Sequence, residues 1–505
     1  MENDGGRTAD AGAGKYLCFT AAGVLWVFAH GKWVIPEASW LAPLLMLYFF
    51  RNSRLAAGSA LVFAVTAIAT YVSFRGVIPI PELGYAFFSL GMGVYFLIPM
   101  IADRYASRRT SGFRSTLVFP SVYVSIEYAA TWLNPFGSWN SWAYTQYGNL
   151  SLMQLVSVTG LWGLTFLIMW TASAANWLWE RRGQWRAARR GFAVYALTIA
   201  IVVLSGSAQL ALFRPDSETV RVAALTLNDA DGFKRQSSQA AKRQLSDSEL
   251  DDFREASLRN QEDLLERSRL EAKAGAKIVV WAEGNAPVME RDMEDFIARA
   301  GRVAKEEGIY LIAGVGEIKR SEGERHELKS LTFNPDGALQ DVYLKTVQVP
   351  GWEAKAFKSG DGVHVVDTRY GSMGMAICFD ADYPAVIREA GKQGADFLIL
   401  PSNEWDDLDP IHTHMAMFRA VENGFSLLRH TSGSYSLAVD HQGRPLGGMH
   451  HATTPSRSFV AELHTEGRGP TVYTTFGDWF AWANGAMSIA MLGVLFRKNQ
   501  RRQQT

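Results

Sequence analysis

GMAICFDADYP, residues 374–384, is the stretch on which the fold turns. GSMGMAICFD reads as a strand ending at Cys378, and PAVIREAGKQG as a helix closed by glycine. Toward the C-terminus, ADFLILPSN is predicted to be a strand and IHTHMAMFRAVENG a helix. FSLLRHTSG, YSLAVDHQGRPLGG and SRSFVAELH then supply three more strands. Toward the N-terminus, VRVAALTLN (220–228), KIVVWAE (277–283) and IYLIAGVG read as strands, and 289–307 as a helix. Between the first two, Leu250, Phe253, Leu258, Leu264 and Leu265 mark an apolar stripe at helical spacing, which Ser246 or Ser248 could cap and Gly275 could end. LKSLTFNPDGALQDVYLK shows two alternating runs around a tight Asn-Pro-Asp-Gly turn. Strand-helix alternation followed by a run of strands predicts an α/β layered sandwich with helices outside the sheets.

The first part of the chain obeys a different solvent. Of the 505 residues, 48% are hydrophobic, but the long apolar stretches with few acids lie in positions 1–214, whereas 216–326 is rich in charge. Eight runs could cross about 30 Å of hydrocarbon, near 16–34, 38–50, 55–73, 84–102, 115–132, 152–179, 192–213 and 478–496, the second being short. Arginines and lysines crowd the chain after every second run: Arg51 and Arg54, Arg104 to Arg114, Arg181 to Arg190, and Arg497 to Arg502. The alternate short loops hold only Lys32 and Arg75. That asymmetry puts both termini in the cytoplasm and the stretch from about 215 to 477 outside. The expected organisation is a disordered cytoplasmic N-terminus (1–14), a multi-span α-helical membrane domain of about seven helices (15–214), an α/β catalytic domain (215–472), a last transmembrane helix (473–497) and a basic tail (498–505). Lys+Arg and Asp+Glu balance at 50 each, which gives no reason to expect a nucleic-acid partner.

The only other cysteine, Cys18, sits in an N-terminal apolar segment, so Cys378 has no obvious disulfide partner although its compartment is oxidising. Such a thiol is either buried or employed. Three strand ends finish with a reactive side chain, Glu283 after KIVVWA, Lys345 after DVYL and Cys378 after MGMAI, and they could converge in one cleft. A thiolate is a nucleophile, a carboxylate can take its proton, and an ammonium can stabilise both the thiolate and a tetrahedral oxyanion. Together they describe acyl transfer through a thioester.

WAEGNAP, YLKTVQVPGWE and ICFDADYP, in that order, resemble the Glu-Lys-Cys signature of the nitrilase, or carbon-nitrogen hydrolase, superfamily. FPSVYVSIEYAATW, YTQYGNLSLMQLVSVTGLWGLTFLI, FRAVENGFSLLRHTSGSYSLAVDHQGRPL and TVYTTFGDWFAW resemble its membrane branch, the bacterial apolipoprotein N-acyltransferases. The resemblance implies a nitrilase-like α-β-β-α sandwich outside the bacterial inner membrane, with Cys378 as nucleophile, Glu283 as base, Lys345 holding the oxyanion and Glu353 as a further carboxylate. It implies a glycerophospholipid acyl donor, a diacylglyceryl lipoprotein acceptor, and no cofactor. Aromatic residues from 132 to 147 suit the headgroup level.

The chain departs from the family pattern where Phe379 and Asp380 stand in place of Tyr and Glu, Gly351-Trp352 in place of Phe-Gly, and Asn403-Glu404-Trp405-Asp406 in place of Asn-Asp-Ala-Trp. Phe379, Asp380, Trp352, Asn403 and Trp405 are therefore expected in supporting or substrate-facing loops, and Asp380→Glu should be tolerated if that acid works by reach. His412 and His414 fall on different sides of a helix with no Cys or His cluster to join them, so no metal is expected. Two alternatives share the sequence: a membrane-tethered amidase or nitrilase that hands its acyl group to water, and a non-catalytic lipoprotein-binding homologue.

Overall fold

The computed structural model describes residues 4–503 apart from 79, 111, 140, 228–229, 243–244, 321–322, 452–453 and 455–456. Two compact units emerge: Met1–Asn134 with Trp139–Leu212 and Asp478–Thr505, and Phe213–Gly477 with Pro135–Ser138.

The first unit is helical: α1 (Asp4–Val27), α2 (Pro36–Arg51), α3 (Leu55–Phe74), α4 (Glu82–Ser107), α5 (Val118–Leu133), the short α6 (Leu150–Met153) and α7 (Val156–Thr159), α8 (Leu161–Glu180), α9 (Trp185–Leu212) and a C-terminal helix, Trp479–Gln503. Each of the eight apolar runs is thus helical. By length and apolarity α3, α4 and α9 can cross a membrane, and Leu150–Thr159 with Leu161–Glu180 forms a pair bent by 119°. The 16-residue α2 and α5 rise about 24 Å each, less than a full hydrocarbon core. Only 11% of the apolar window of α9 is covered by protein, with Leu197, Ile201 and Leu204 bare, a surface that suits contact with lipid. α1 begins at Asp4, within the stretch 1–14 expected as a separate N-terminal segment, and residues 1–3 lie outside the described residues. One expectation changes here. Within the aromatic stretch Trp132 is 70% exposed, but Trp142 is fully buried in a core with Trp26, Phe96 and Tyr123, so it stabilises the helices from within.

The second unit is a four-layer sandwich. One sheet runs in the order β13 (Ser458–His464), β1 (Thr219–Leu225), β2 (Ile278–Trp281), β4 (Tyr310–Ile318), β5 (Glu327–Phe333), β6 (Leu339–Leu344), with β3 (Ala286–Met289) also on β4. The other runs β12 (Pro445–His450), β11 (Tyr435–Val439), β10 (Ser426–Ser432), β9 (Phe397–Asn403), β8 (Gly371–Met375), β7 (His364–Thr368). The central pairs β1–β2–β4 and β8–β9–β10 are parallel and the margins antiparallel. Alternation of side chains builds the layers. Val222, Ala224, Ile278, Val280 and Ile312 meet Met373, Met375, Phe397 and Ile399 between the sheets. Ala223, Leu225, Val279, Trp281 and Leu311 point the other way, onto the helices.

Helices α10 (Ala230–Ala241), α11 (Asp247–Lys273) and α12 (Met293–Glu307) belong to the first sheet's side, followed by α13 (Trp352–Ala356), α14 (Pro384–Lys392), α15 (Ile411–Asn423) and α16 (Val472–Phe476). Ser246 caps α11 through a full capping box with Glu249. The β5–β6 turn closes with Asn334 Oδ1 accepting from Asp336 and Ala338 N, both at 3.0 Å, and Gly337 at φ +86°. The stretch expected as one strand from Tyr435 to Gly448 divides into β11 and β12, because Asp440 Oδ1 accepts from the backbone of Gln442 (2.8 Å) and Arg444 (2.9 Å) and turns the chain.

Candidate active site

β2, β6 and β8 stop just before Glu283, Lys345 and Cys378, so the strand order that builds the sheets also fixes these three positions. Cys378 opens a 3-10 turn, Cys378–Asp382, and is 4% exposed. Its φ of +47° makes it the only non-glycine among the described residues in the left-handed region. Such a conformation costs on the order of 1–3 kcal/mol and persists only where the surroundings enforce it.

Lys345 is fully buried and donates from Nζ to Glu283 Oε1 at 2.8 Å and to Glu353 Oε1 at 2.6 Å. Glu353 Oε1 also accepts from Val349 N at 3.1 Å, which holds α13 against the lysine loop. Burial disfavours the Lys345 ammonium, but Glu283, Glu353 and Cys378 together hold it well above the usual lysine range. The Glu353 carboxyl is pushed up by burial, which Lys345 partly offsets. Burial also pushes the Cys378 thiol far up; the Glu283 carboxylate adds to this, and Lys345 and Arg429 pull it back. The balance of these effects favours the neutral thiol over the thiolate.

The supporting residues divide. Asp380, expected in a substrate-facing loop, is fully buried and spends its carboxylate on the scaffold. Oδ2 accepts from Tyr343 Oη (2.6 Å) and Ile377 N (2.8 Å), and Oδ1 from Val347 N (2.7 Å), which ties the cysteine turn to the loop after Lys345. Phe379 is likewise buried, against Tyr383 and His412. Asn403 places its carbonyl 4.0 Å from the Cys378 sulfur, and its buried Oδ1 has no partner among the described residues. Trp405 is half-buried. Trp352 is 40% exposed, edge-on to Phe357 and beneath the Lys242 ammonium.

Behind the cysteine lies a group that the sequence reading passed over. Cys378, Glu404 and His412 bring their ligand-type atoms within 4.8 Å of one another, contrary to the expectation that no cluster joins His412. The two imidazole nitrogens are already committed, Nε2 to Asp382 Oδ2 and Nδ1 to Glu404 Oε1 (3.2 Å), and Arg429 binds Glu404 as well. The donor set thus forms a closed ion network and not a metal cage. Burial alone would raise Glu404, but Arg429 and His412 bring it down to about 2; His412 is raised despite its burial, chiefly by Asp382. The legible signal was Arg429 itself: a charge inside the apolar strand LLRHTS requires a buried carboxylate. A surface cavity of about 420 Å³ bordered by Asp247, Met289, Glu290 and Arg320 contains none of these residues.

Two sheets back to back with helices outside, and a cysteine in a strained turn at a strand end, define a carbon-nitrogen hydrolase domain here attached to apolar helices. Residues 240–454 match the family described as carbon-nitrogen hydrolase, and residues 22–174 match the apolipoprotein N-acyltransferase N-terminal domain. Over these two regions the chain is similar to the carbon-nitrogen hydrolases and to the apolipoprotein N-acyltransferases. Among curated relatives, the apolipoprotein N-acyltransferase of Geobacter metallireducens is 26% identical over 96% of this chain and 95% of its own length. That of Thermotoga maritima is 24% identical over 83% and 79%, and that of Pseudomonas aeruginosa strain LESB58 24% over 73% and 72%. An amidase of known structure from Nesterenkonia sp. aligns with 50% of this chain and 92% of its own at 19% identity and a TM-score of 0.40.

Proposed function

We propose that this protein moves a fatty acyl chain from a glycerophospholipid, through a thioester on Cys378, to the N-terminal amine of a diacylglyceryl-cysteine lipoprotein. In the first half, the Cys378 sulfur bonds to the ester carbonyl as Glu283 takes the thiol proton. The C–O bond breaks, and Glu283 returns the proton to the glycerol oxygen of the departing lysophospholipid. In the second half the acceptor amine forms the new N–C bond, the C–S bond breaks, and the amine proton passes through Glu283 back to sulfur. Lys345 faces the oxyanion in both tetrahedral states, and Glu353 keeps it charged and in place.

The observation that carries this reading is the strained left-handed Cys378, kept as a thiol by burial in a site where a lysine lies between two carboxylates. Apolar helices suit donors and acceptors whose acyl chains remain in the bilayer, and the names of the relatives fit the same reaction. The arginine distribution supports a multi-pass protein of a bacterial inner membrane with residues from about 215 to 477 on the extracytoplasmic side.

The test is mass spectrometry of the purified full chain after exposure to phospholipid. The expected result is an acyl adduct on Cys378 that diacylglyceryl peptide discharges as N-acyl peptide. Release of free fatty acid with no peptide product, or an intact chain with no adduct, would sink the assignment.

A further inference from the structure

The reaction as written uses Glu283, Lys345 and Cys378, and leaves four buried charges behind the sulfur without a task. Arg429, Glu404, His412 and Asp382 are between 0% and 3% exposed. They carry two positive and two negative charges when His412 is an imidazolium, so the group is neutral as a set. Its contacts enclose one short piece of backbone. Arg429 Nη1 donates to the carbonyl of Cys378 at 3.4 Å, and its Nη2 binds Glu404 Oε1. That oxygen lies 3.2 Å from His412 Nδ1, which is itself 3.0 Å from Arg429 Nη2, and the ring's Nε2 pairs with the carboxylate of Asp382. Cys378 and Asp382 are the first and last residues of the 3-10 turn. One network therefore grips the turn at both ends. A second contact fixes the far end, because Ser138 donates to the Asp382 carbonyl from N at 2.9 Å and from Oγ at 2.7 Å, and that oxygen lies 2.5 Å from where a Cβ on Gly137 would stand.

We propose that Arg429 is a positioning residue for the nucleophile, holding Cys378 in its left-handed conformation through a charge relay of Glu404, His412 and Asp382. This rests on the reading of Cys378 as the nucleophile and assigns the residues that act through it. A left-handed cysteine directs its side chain where an ordinary turn would not, and it relaxes unless both ends of the turn are clamped. The charges that face the sulfur are Glu283, Lys345, Glu404, Arg429 and, within 4.8 Å, His412. Arg429→Lys keeps the charge there but lacks the fork that reaches a carbonyl and a carboxylate at once. His412→Gln leaves Asp382 and Glu404 without their shared cation, and Asp382→Asn/His412→Gln removes one of those charges again.

The experiment uses the full chain in detergent and measures acyl-thioester formation together with iodoacetamide alkylation of Cys378 across pH, both normalised to alkylatable protein. Arg429→Lys is expected to lose about 100-fold in kcat, with KM for phospholipid held within about twofold and the midpoint of the alkylation profile unmoved. His412→Gln should lose a comparable factor, and the double variant should recover at least about tenfold of it. A purely structural role would lower the alkylatable fraction without changing these rate constants. Retention of wild-type kcat within about twofold by folded Arg429→Lys or His412→Gln, or a double variant no faster than His412→Gln, overturns the proposal. If Arg429→Lys does not fold, the comparison of His412→Gln with the double variant decides. Alkylation needs no phospholipid, so the same variants decide even if the wild type proves not to transfer acyl groups: a slowing of about tenfold supports the clamp, and an unchanged rate overturns it.

Discussion

A side chain at position 378 sits on backbone that favours glycine, and this can be measured apart from chemistry. Cys378→Ala and Cys378→Gly should both be inactive, but the glycine variant is expected to melt about 2–4 °C above the alanine one, since relief of strain outweighs the added chain entropy. Equal melting temperatures would mean that the turn imposes no strain. Asp380 gives the opposite kind of test. Its carboxylate is fully buried and accepts three hydrogen bonds, so Asp380→Glu overpacks the site and should cost about 1–3 kcal/mol in denaturant titration, with slower acylation, and not be tolerated as reach alone suggests. Burial lifts Asp380 to about 6, so acylation should fall as pH drops through 6, where protonation removes an acceptor from Tyr343, Ile377 and Val347. Because this folded-state value lies above the unfolded one, protonation favours the fold in that window. Glu404, held at about 2, has the reverse sign: its contribution is complete above the ordinary carboxylate range and is lost as pH falls toward 2. Activity loss near pH 6 with circular dichroism unchanged is the expected pattern, and unfolding at that pH would contradict it.

Among the elements, α11 offers the simplest check. The box between Ser246 and Glu249 satisfies two donors at its start, and Ser246→Ala should lower stability by about 1 kcal/mol with acylation unchanged. This cap was legible from composition, as were the strands ending at Glu283, Lys345 and Cys378, because each long run carries its own periodicity. β3 and β7 were not legible. APVM carries a proline and HVVDT only two valines between polar ends, so neither stands out as an apolar run, and their strand character comes from β4 and β8 beside them. The same limit hid the ion network. Asp382 comes from the 3-10 turn that Cys378 opens, Glu404 from the loop after β9, His412 from α15 and Arg429 from β10, and no spacing in the chain records that these meet. Asp380 was visible as an acid beside the cysteine, but whether it faced substrate or scaffold depended on Tyr343 from another strand.

For the molecule as a whole, the helical unit ties together the ends of three helices. Arg51 at the end of α2 pairs with Asp103 near the end of α4 at 2.7 Å and with Glu180 at the end of α8 at 3.1 Å, and Arg104 caps the carbonyls of Phe50 and Ser53. These ends share one side, as the alternation of arginine-rich loops requires. In intact cells, a cysteine placed at exposed Arg320 should therefore react with an impermeant maleimide and one at Arg186 should not, in a Cys18→Ser background. Labelling in the reverse pattern would invert the proposed orientation. The lysine between its two carboxylates carries a last consequence. With Lys345 positive and Glu283 and Glu353 negative, passing a proton from sulfur to Glu283 leaves the sum of charge around the lysine unchanged. No counter-ion has to enter or leave during turnover, so the chemical step should run at the same speed in fresh water and in brine.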